Sequence, residues 1–265
     1  MDTTSLFDQG FTESNTPPID TFISKIGTLS MITNPTHYDS LAANLIILGS
    51  VSAVESYMRE VIRKCVILDS ESRIKCEKLQ LTYGAAISHD KTLMPEAILE
   101  SYSFTSKSSV VNSLRELLGI KGNPDNSVDE ALNEYGKVCH LRHCLVHRYG
   151  KLGTRNAIEL GLDKHKKCIE KPLDIDFSSL QDCQAICLSV VKEINNYIFR
   201  KLLLRLILDD KNKKMTTVVW KWNYNQDRKL FLTYYNVLVS NSATPSTHLS
   251  AKNAYDKYRI FYNSL

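Results

Sequence analysis

Residues 40–68, SLAANLIILGSVSAVESYMREVIRKCVIL, decide the fold class of this 265-residue chain. Leu41, Leu45, Leu48, Val51, Val54, Met58, Ile62 and Cys65 recur at spacings of three and four, the period of one helix face. Ile46 and Ile47 make other sides apolar too, so this helix is expected to run buried through the centre of a bundle. A helix of that kind needs others packed around it. One is expected near 73–88 and another over 107–118, stopped by Gly119. After the loop GIKGNPDNS, Ser127-Val128-Asp129-Glu130 reads as a capping box. The helix it opens carries Leu132, Tyr135, Val138 and Leu141, with Gly136 as a loose point midway. Ser178 or Ser179 then caps a long helix to about Leu208, with Leu180, Cys183, Cys187, Val190, Ile194, Tyr197 and Leu202 on one face. The expected class is mainly α, an antiparallel helical bundle.

Three segments follow from this pattern. Residues 1–37, rich in Thr, Ser, Asn and Pro, read as a loosely ordered N-terminal arm, and 38–209 as the helical domain. Residues 210–265 read as a small C-terminal extension of α or α+β structure. In it Met215–Trp222 suits a strand, Leu230–Val239 suits either state, and Ser250 suits the cap of a short terminal helix. No internal repeat is present.

Composition narrows the class. A hydrophobic content of 43% with 23% charged residues is that of a globular protein, and ten glycines and seven prolines are few for a turn-rich sandwich or barrel. The strongly apolar runs Leu45–Val54 and Leu202–Leu208 are shorter than the ~20 residues of a membrane span. The start, MDTTSLFDQG, has no basic region and no apolar core, so no secretion signal is read. A cytoplasmic location without a membrane partner is expected. Seven cysteines without a CxxC pair suit reduced thiols in a core better than a disulfide framework.

The net charge of +4 is unevenly spread. From Arg142 to Lys171 eight Lys/Arg face three Asp/Glu, and from Arg200 to Lys229 nine face three. Brought together in space, the two stretches would attract a polyanion; kept apart, they are solvated faces and loops.

The chemistry concentrates in Leu141-Arg142-His143-Cys144-Leu145-Val146-His147-Arg148-Tyr149. A histidine moves a proton near neutral pH and a guanidinium holds charge on a phosphoryl oxygen. Together they can cleave a phosphodiester with no metal or other cofactor. On a straight helix Arg142 and His147 are separated by roughly 140° around the axis. A helix fraying near Gly150, or a second subunit, would bring them to one substrate atom. A metal reading competes: His140, Cys144 and His147, or Cys139, His143 and His147, could reach one ion from one face. Otherwise His140 and His143 are polar helix residues and Cys144 is core. Glu55 shares the apolar stripe of Leu48 and Ile62. A carboxylate there needs a partner, either Arg142 or a histidine, or simply Arg59 one turn on. Arg148, Lys151 and Arg155 are candidate phosphate contacts, or solvated side chains.

The segment resembles the Rx4–6H signature of the HEPN superfamily, helical bundles of which many are metal-independent ribonucleases. Arg142, the polar His143, the aliphatic Leu145-Val146 and His147 carry the likeness, and Tyr149 extends it to Rx4HxY, the form of the toxins in toxin–antitoxin pairs. The stretch AVESYMRE resembles the opening helix of these domains, and the likeness covers roughly residues 38–208. It implies a homodimer in which Arg142 and His147 from the two subunits line a cleft at the interface, with His143, Glu55 and Tyr149 in support. It also implies RNA as substrate, a role in antiviral defence or as a toxin, an antitoxin or defence-complex partner, and a Tyr149 open to AMPylation. The other reading of the same residues is a non-catalytic module that binds nucleic acid or protein.

Overall fold

The structure, a computed structural model, describes residues 1–32, 38–212, 220–242 and 249–263. Helices occupy 72% of the chain, so the fold is mainly α. Among the described residues there is no strand, only one isolated antiparallel bridge between Lys151 and Pro172.

In chain order the helices are α1 (Pro18–Ile32), α2 (Ser40–Leu68), α3 (Ser70–Cys76), α4 (Tyr83–Ser88), α5 (Met94–Leu99) and α6 (Lys107–Leu118). Then come α7 (Asn126–Arg148), α8 (Thr154–Glu159), α9 (Leu162–His165), α10 (Phe177–Asn212), α11 (Tyr224–Leu238) and α12 (Ala251–Asn263). The bounds of α2 and α6 are those the periodicity predicts. Gly119 ends α6 in the left-handed conformation at φ 64°, where a residue without Cβ carries no penalty. The single helix expected near 73–88 is instead α3 and α4, with a break between them.

Helix α2 is the centre of the molecule, and α1, α7 and α10 pack on it. Polar contacts give the directions. Tyr57 donates to Asn195 and Arg205 pairs with Asp69, so α2 and α10 run the same way. Arg200 pairs with Asp125 and Ser127 donates to Glu193, so α7 runs against α10 and hence against α2. These two contacts also explain how α7 starts. Asp125 is the N-cap residue but spends its carboxylate on Arg200, and the Ser127 hydroxyl goes to Glu193. The capping box expected at Ser127 is therefore replaced by tertiary pairing, and α7 continues unbroken through Gly136. Helix α10 is capped by Asp176, which accepts from the Ser179 amide at 2.7 Å, rather than by Ser178 or Ser179.

The loose arm expected over 1–37 is corrected by α1. Pro18 suits the first helical position, where no amide hydrogen is needed, and Ile19, Phe22 and Ile26 bury one face against α2. Arg63 binds both oxygens of Glu13 at 2.6 and 2.7 Å, fastening the preceding stretch to α2. The C-terminal segment is not separate either. Its α11 and α12 place Phe231, Tyr234, Tyr235, Leu238 and Tyr255 in the same continuous core as α2. The corner after α11 is held by Asp20, which accepts from Ser240, the Asn241 amide and Ser242. The strand suggested for Met215–Trp222 lies mostly outside the described residues, Trp220 to Trp222 are not in a strand, and Leu230–Val239 belongs to α11 apart from its last residue. The Ser250 hydroxyl accepts from the Asn253 amide at 3.3 Å, as a cap of α12 should.

All seven cysteines are free, and six are buried. By length and composition α2 is long and apolar enough to cross a membrane, which its shorter apolar runs did not suggest. Half of its most apolar stretch is buried within the bundle, as in a core helix.

Candidate functional site

The last three turns of α7 carry the arginine–histidine segment to one end of the bundle. The start of α2 lies at that same end, where Tyr38 stacks edge-on against Phe177 and its hydroxyl donates to the carbonyl of Ile175. Residues 150–173 fold back beneath the helix. Leu152 and Glu170 exchange backbone hydrogen bonds with neighbours across this lobe, and the Leu173 amide donates to Gly150. Cys144, fully buried against Leu152 and Ala157, is the point where α7 grips it. The Asn156 amide on α8 donates to Cys144 Sγ at 3.2 Å and accepts from His140 Nδ1 at 3.1 Å.

Helix α7 stays regular to Arg148, so it does not fray to bring Arg142 and His147 together. The roughly 140° between them stands. Arg142 is half-buried on the side of Cys139, and His147 is exposed on the next face. Among the described residues the Arg142 guanidinium makes no hydrogen bond or ion pair. The three histidines form a ladder on the other face: His140 and His143 have ring centres 6.0 Å apart, and His143 and His147 6.2 Å. Burial, followed by the positive charges of Arg142, His140, His147 and Arg155, holds the His143 pKa below its ordinary 6.5. His143 is therefore a neutral imidazole at pH 7, able to donate or accept.

The metal trios do not converge. Cys139 and Cys144 point into the core while the histidines line the surface, and burial pushes the Cys139 thiol up to about 12. Among the described residues no group of three or more His, Cys, Asp or Glu is placed to hold an ion.

Glu55 lies at the level of Tyr135 and Cys139, close enough to disfavour ionisation of both. It pairs with neither Arg142 nor Arg59: its Oε1 accepts from the Phe104 amide at 3.5 Å. Arg59 instead donates to the carbonyls of Leu99 and Tyr102. The stripe expected to be buried is buried from Val51 to Cys65, while its first residues, Leu41 and Leu45, are more than half exposed. Of the candidate phosphate contacts, Lys151 and Arg155 are exposed, and Arg155 lies near enough to His143 to affect it. Arg148 is taken up by Glu170 in a two-pronged pair at 2.6 and 2.8 Å. Tyr149 closes α7 with a left-handed backbone, φ 52°, and its ring is 87% exposed. A bulky residue held at positive φ beside a candidate site is uncommon and carries strain.

The opening of the second basic stretch, Arg200–Arg205, lies apart from the first. Arg200, Lys201 and Arg205 at the far end of α10 are occupied by Asp125, Asp69 and Glu71. Asp125 marks the start of α7, about 25 Å along the helix from Arg142. Paired in this way, these three cations add little to the positive field of the Arg142–Lys171 stretch. The sequence points to Arg142, His143 and His147 but not to Asn156, which reaches His140 from α8, 16 residues on. No family model matches the chain, and neither a curated protein nor a solved structure matches it.

Proposed function

We propose that this chain is a metal-independent endoribonuclease of the HEPN type, acting in the cytoplasm as a homodimer in antiviral defence or as a toxin. One observation carries the reading: an unpaired arginine and an exposed histidine, one and a half turns apart on an unbroken helix, too far round it to share a substrate atom unless a second copy completes the site. The surface around them suits that copy. Val146 and Tyr149 on α7 and Leu41 and Leu45 on α2 are exposed at this end of the bundle, a collection of large apolar side chains that water does not favour.

The chemistry is an internal displacement. The 2′-OH of RNA attacks the adjacent phosphorus, the phosphorus–5′-oxygen bond breaks, and the products are a 2′,3′-cyclic phosphate and a 5′-hydroxyl. His147 transfers the proton, Arg142 holds the charge growing on the non-bridging oxygens, and neutral His143 supports the exchange. A positioned histidine contributes about 10²–10⁴-fold and a charge-stabilising donor about 10²–10³-fold. Purified protein is expected to cut single-stranded RNA in EDTA, leaving cyclic phosphate ends. Arg142→Ala and His147→Ala each lower the rate at least ~100-fold with the thermal midpoint unchanged. Undiminished cutting by both variants contradicts the assignment.

The non-catalytic reading, a module that binds nucleic acid or a protein such as an antitoxin, draws on the capture of Arg148 by Glu170, which removes one phosphate contact. It predicts salt-sensitive RNA binding with no cleavage products in the same assay.

A further inference from the structure

A groove of about 930 Å³ runs beside α7, walled on the far side by the start of α6 and closed at one end by α8. Its floor follows one face of the helix from Asn126 to His143, about 25 Å. Its lining mixes amides and hydroxyls, Asn112 on α6 and Asn133 on α7 among them, with the charged Lys107, Asp129, Lys137 and Glu159. Lys107 bridges the walls, bonded to Asp129 at 2.7 Å and to Asn133 at 2.9 Å. The groove ends at His140 and His143, one turn from His147.

Gly136 lies on its floor, in the middle of a 23-residue helix. A glycine there costs the helix about 1 kcal/mol relative to alanine. Packing does not require it, since a Cβ at Gly136 meets nothing within 4 Å. Its effect is to keep the floor flat and the backbone open to a ligand.

We infer that this groove holds a single-stranded RNA segment, a base lying over Gly136, and leads the strand toward His143 and His147. The inference rests on the ribonuclease reading and adds where the strand runs. The lining favours unpaired bases over a duplex. Lys107 is neutralised by Asp129, so phosphate attraction is weak, whereas side-chain amides meet the donor and acceptor edges that only splayed bases offer.

The test is binding, measured in the His147→Ala protein with EDTA so that cleavage does not enter. A fluorescein-labelled 12-nucleotide RNA is titrated by anisotropy against that protein and against the same protein carrying Gly136→Leu or Asn133→Leu. Leucine at 136 fills the floor and improves helix propensity, so folding is retained; Asn133 is exposed and serves as the second variant. Each is expected to weaken binding about tenfold or more, and 4-thiouridine in the RNA is expected to crosslink within 105–112 or 126–143. Unchanged affinity in both folded variants, or crosslinks confined elsewhere, overturns the groove assignment. So does displacement of the RNA by an acidic peptide that binds these variants as weakly, which makes the groove a protein-docking site. Loss of binding in the variants while the parent cuts nothing keeps the groove and removes the ribonuclease reading.

Discussion

At Arg142 and His147 the relevant fact is separation by angle, not by distance along the chain. Between them His143 sits half-buried among four positively charged or chargeable groups, Arg142, His140, His147 and Arg155. Burial first, and those neighbours second, lower its pKa, so the folded state resists taking up its proton. The unfolded chain, with an ordinary histidine near 6.5, binds that proton first as pH falls. Stability therefore rises with pH across the window from the lowered value up to about 6.5, and the loss is complete below it. His143→Gln is expected to flatten that limb of the stability–pH curve in urea titrations between pH 5 and 7. A variant curve as steep as the parent's contradicts the burial of His143. Residue chemistry and the Rx4–6H likeness single out these residues, and the fixed angle per residue of a helix gives their separation. Neither could show that Asn156 tethers His140 or that Glu170 takes Arg148, since both partners arrive from a lobe folded back over 16 to 22 residues.

Among the elements, α2, α6 and α7 were legible where burial follows the helical period. Helix α1 was not, although Ile19, Phe22 and Ile26 have the right spacing; the polar, proline-containing composition around them hid a one-face pattern. The start of α7 misled for a different reason. A local capping box competes with long-range partners, and Arg200 and Glu193 claimed both of its candidate oxygens. The strongest such long-range knot joins four elements at Asp69. This carboxylate, 2% exposed, caps α3 through Ser72, binds Arg205 of α10 at 2.6 Å and accepts from Tyr234 of α11 at 3.1 Å. Arg205 also reaches the carbonyl of Leu118 at the end of α6. Asp69→Ala leaves Arg205 with Glu71 at 3.1 Å but takes the acceptor from the buried Tyr234 hydroxyl and from the start of α3, and is expected to cost about 2–4 kcal/mol of unfolding free energy in urea. A loss under about 1 kcal/mol would show that the knot is not what docks α10 and α11.

Across the whole molecule, one core runs from α1 to α12, and the three segments that composition suggested share it. The end that carries Arg142 and His147 is different in character: apolar side chains are exposed, Arg142 has no partner among the described residues, and the histidine ladder faces outward. Under the proposed function two such ends meet, so that each cleft takes Arg142 from one copy and His147 from the other. Mixing inactive chains tests this directly. Arg142→Ala and His147→Ala proteins are denatured together, refolded, and assayed on single-stranded RNA in EDTA. Half of the resulting dimers are mixed, and each mixed dimer holds one cleft with both residues intact, so activity is predicted to return to roughly a quarter of the parent's while each variant alone stays inactive. A mixture as inactive as its components, from a parent that is dimeric and cuts RNA, would contradict the shared site.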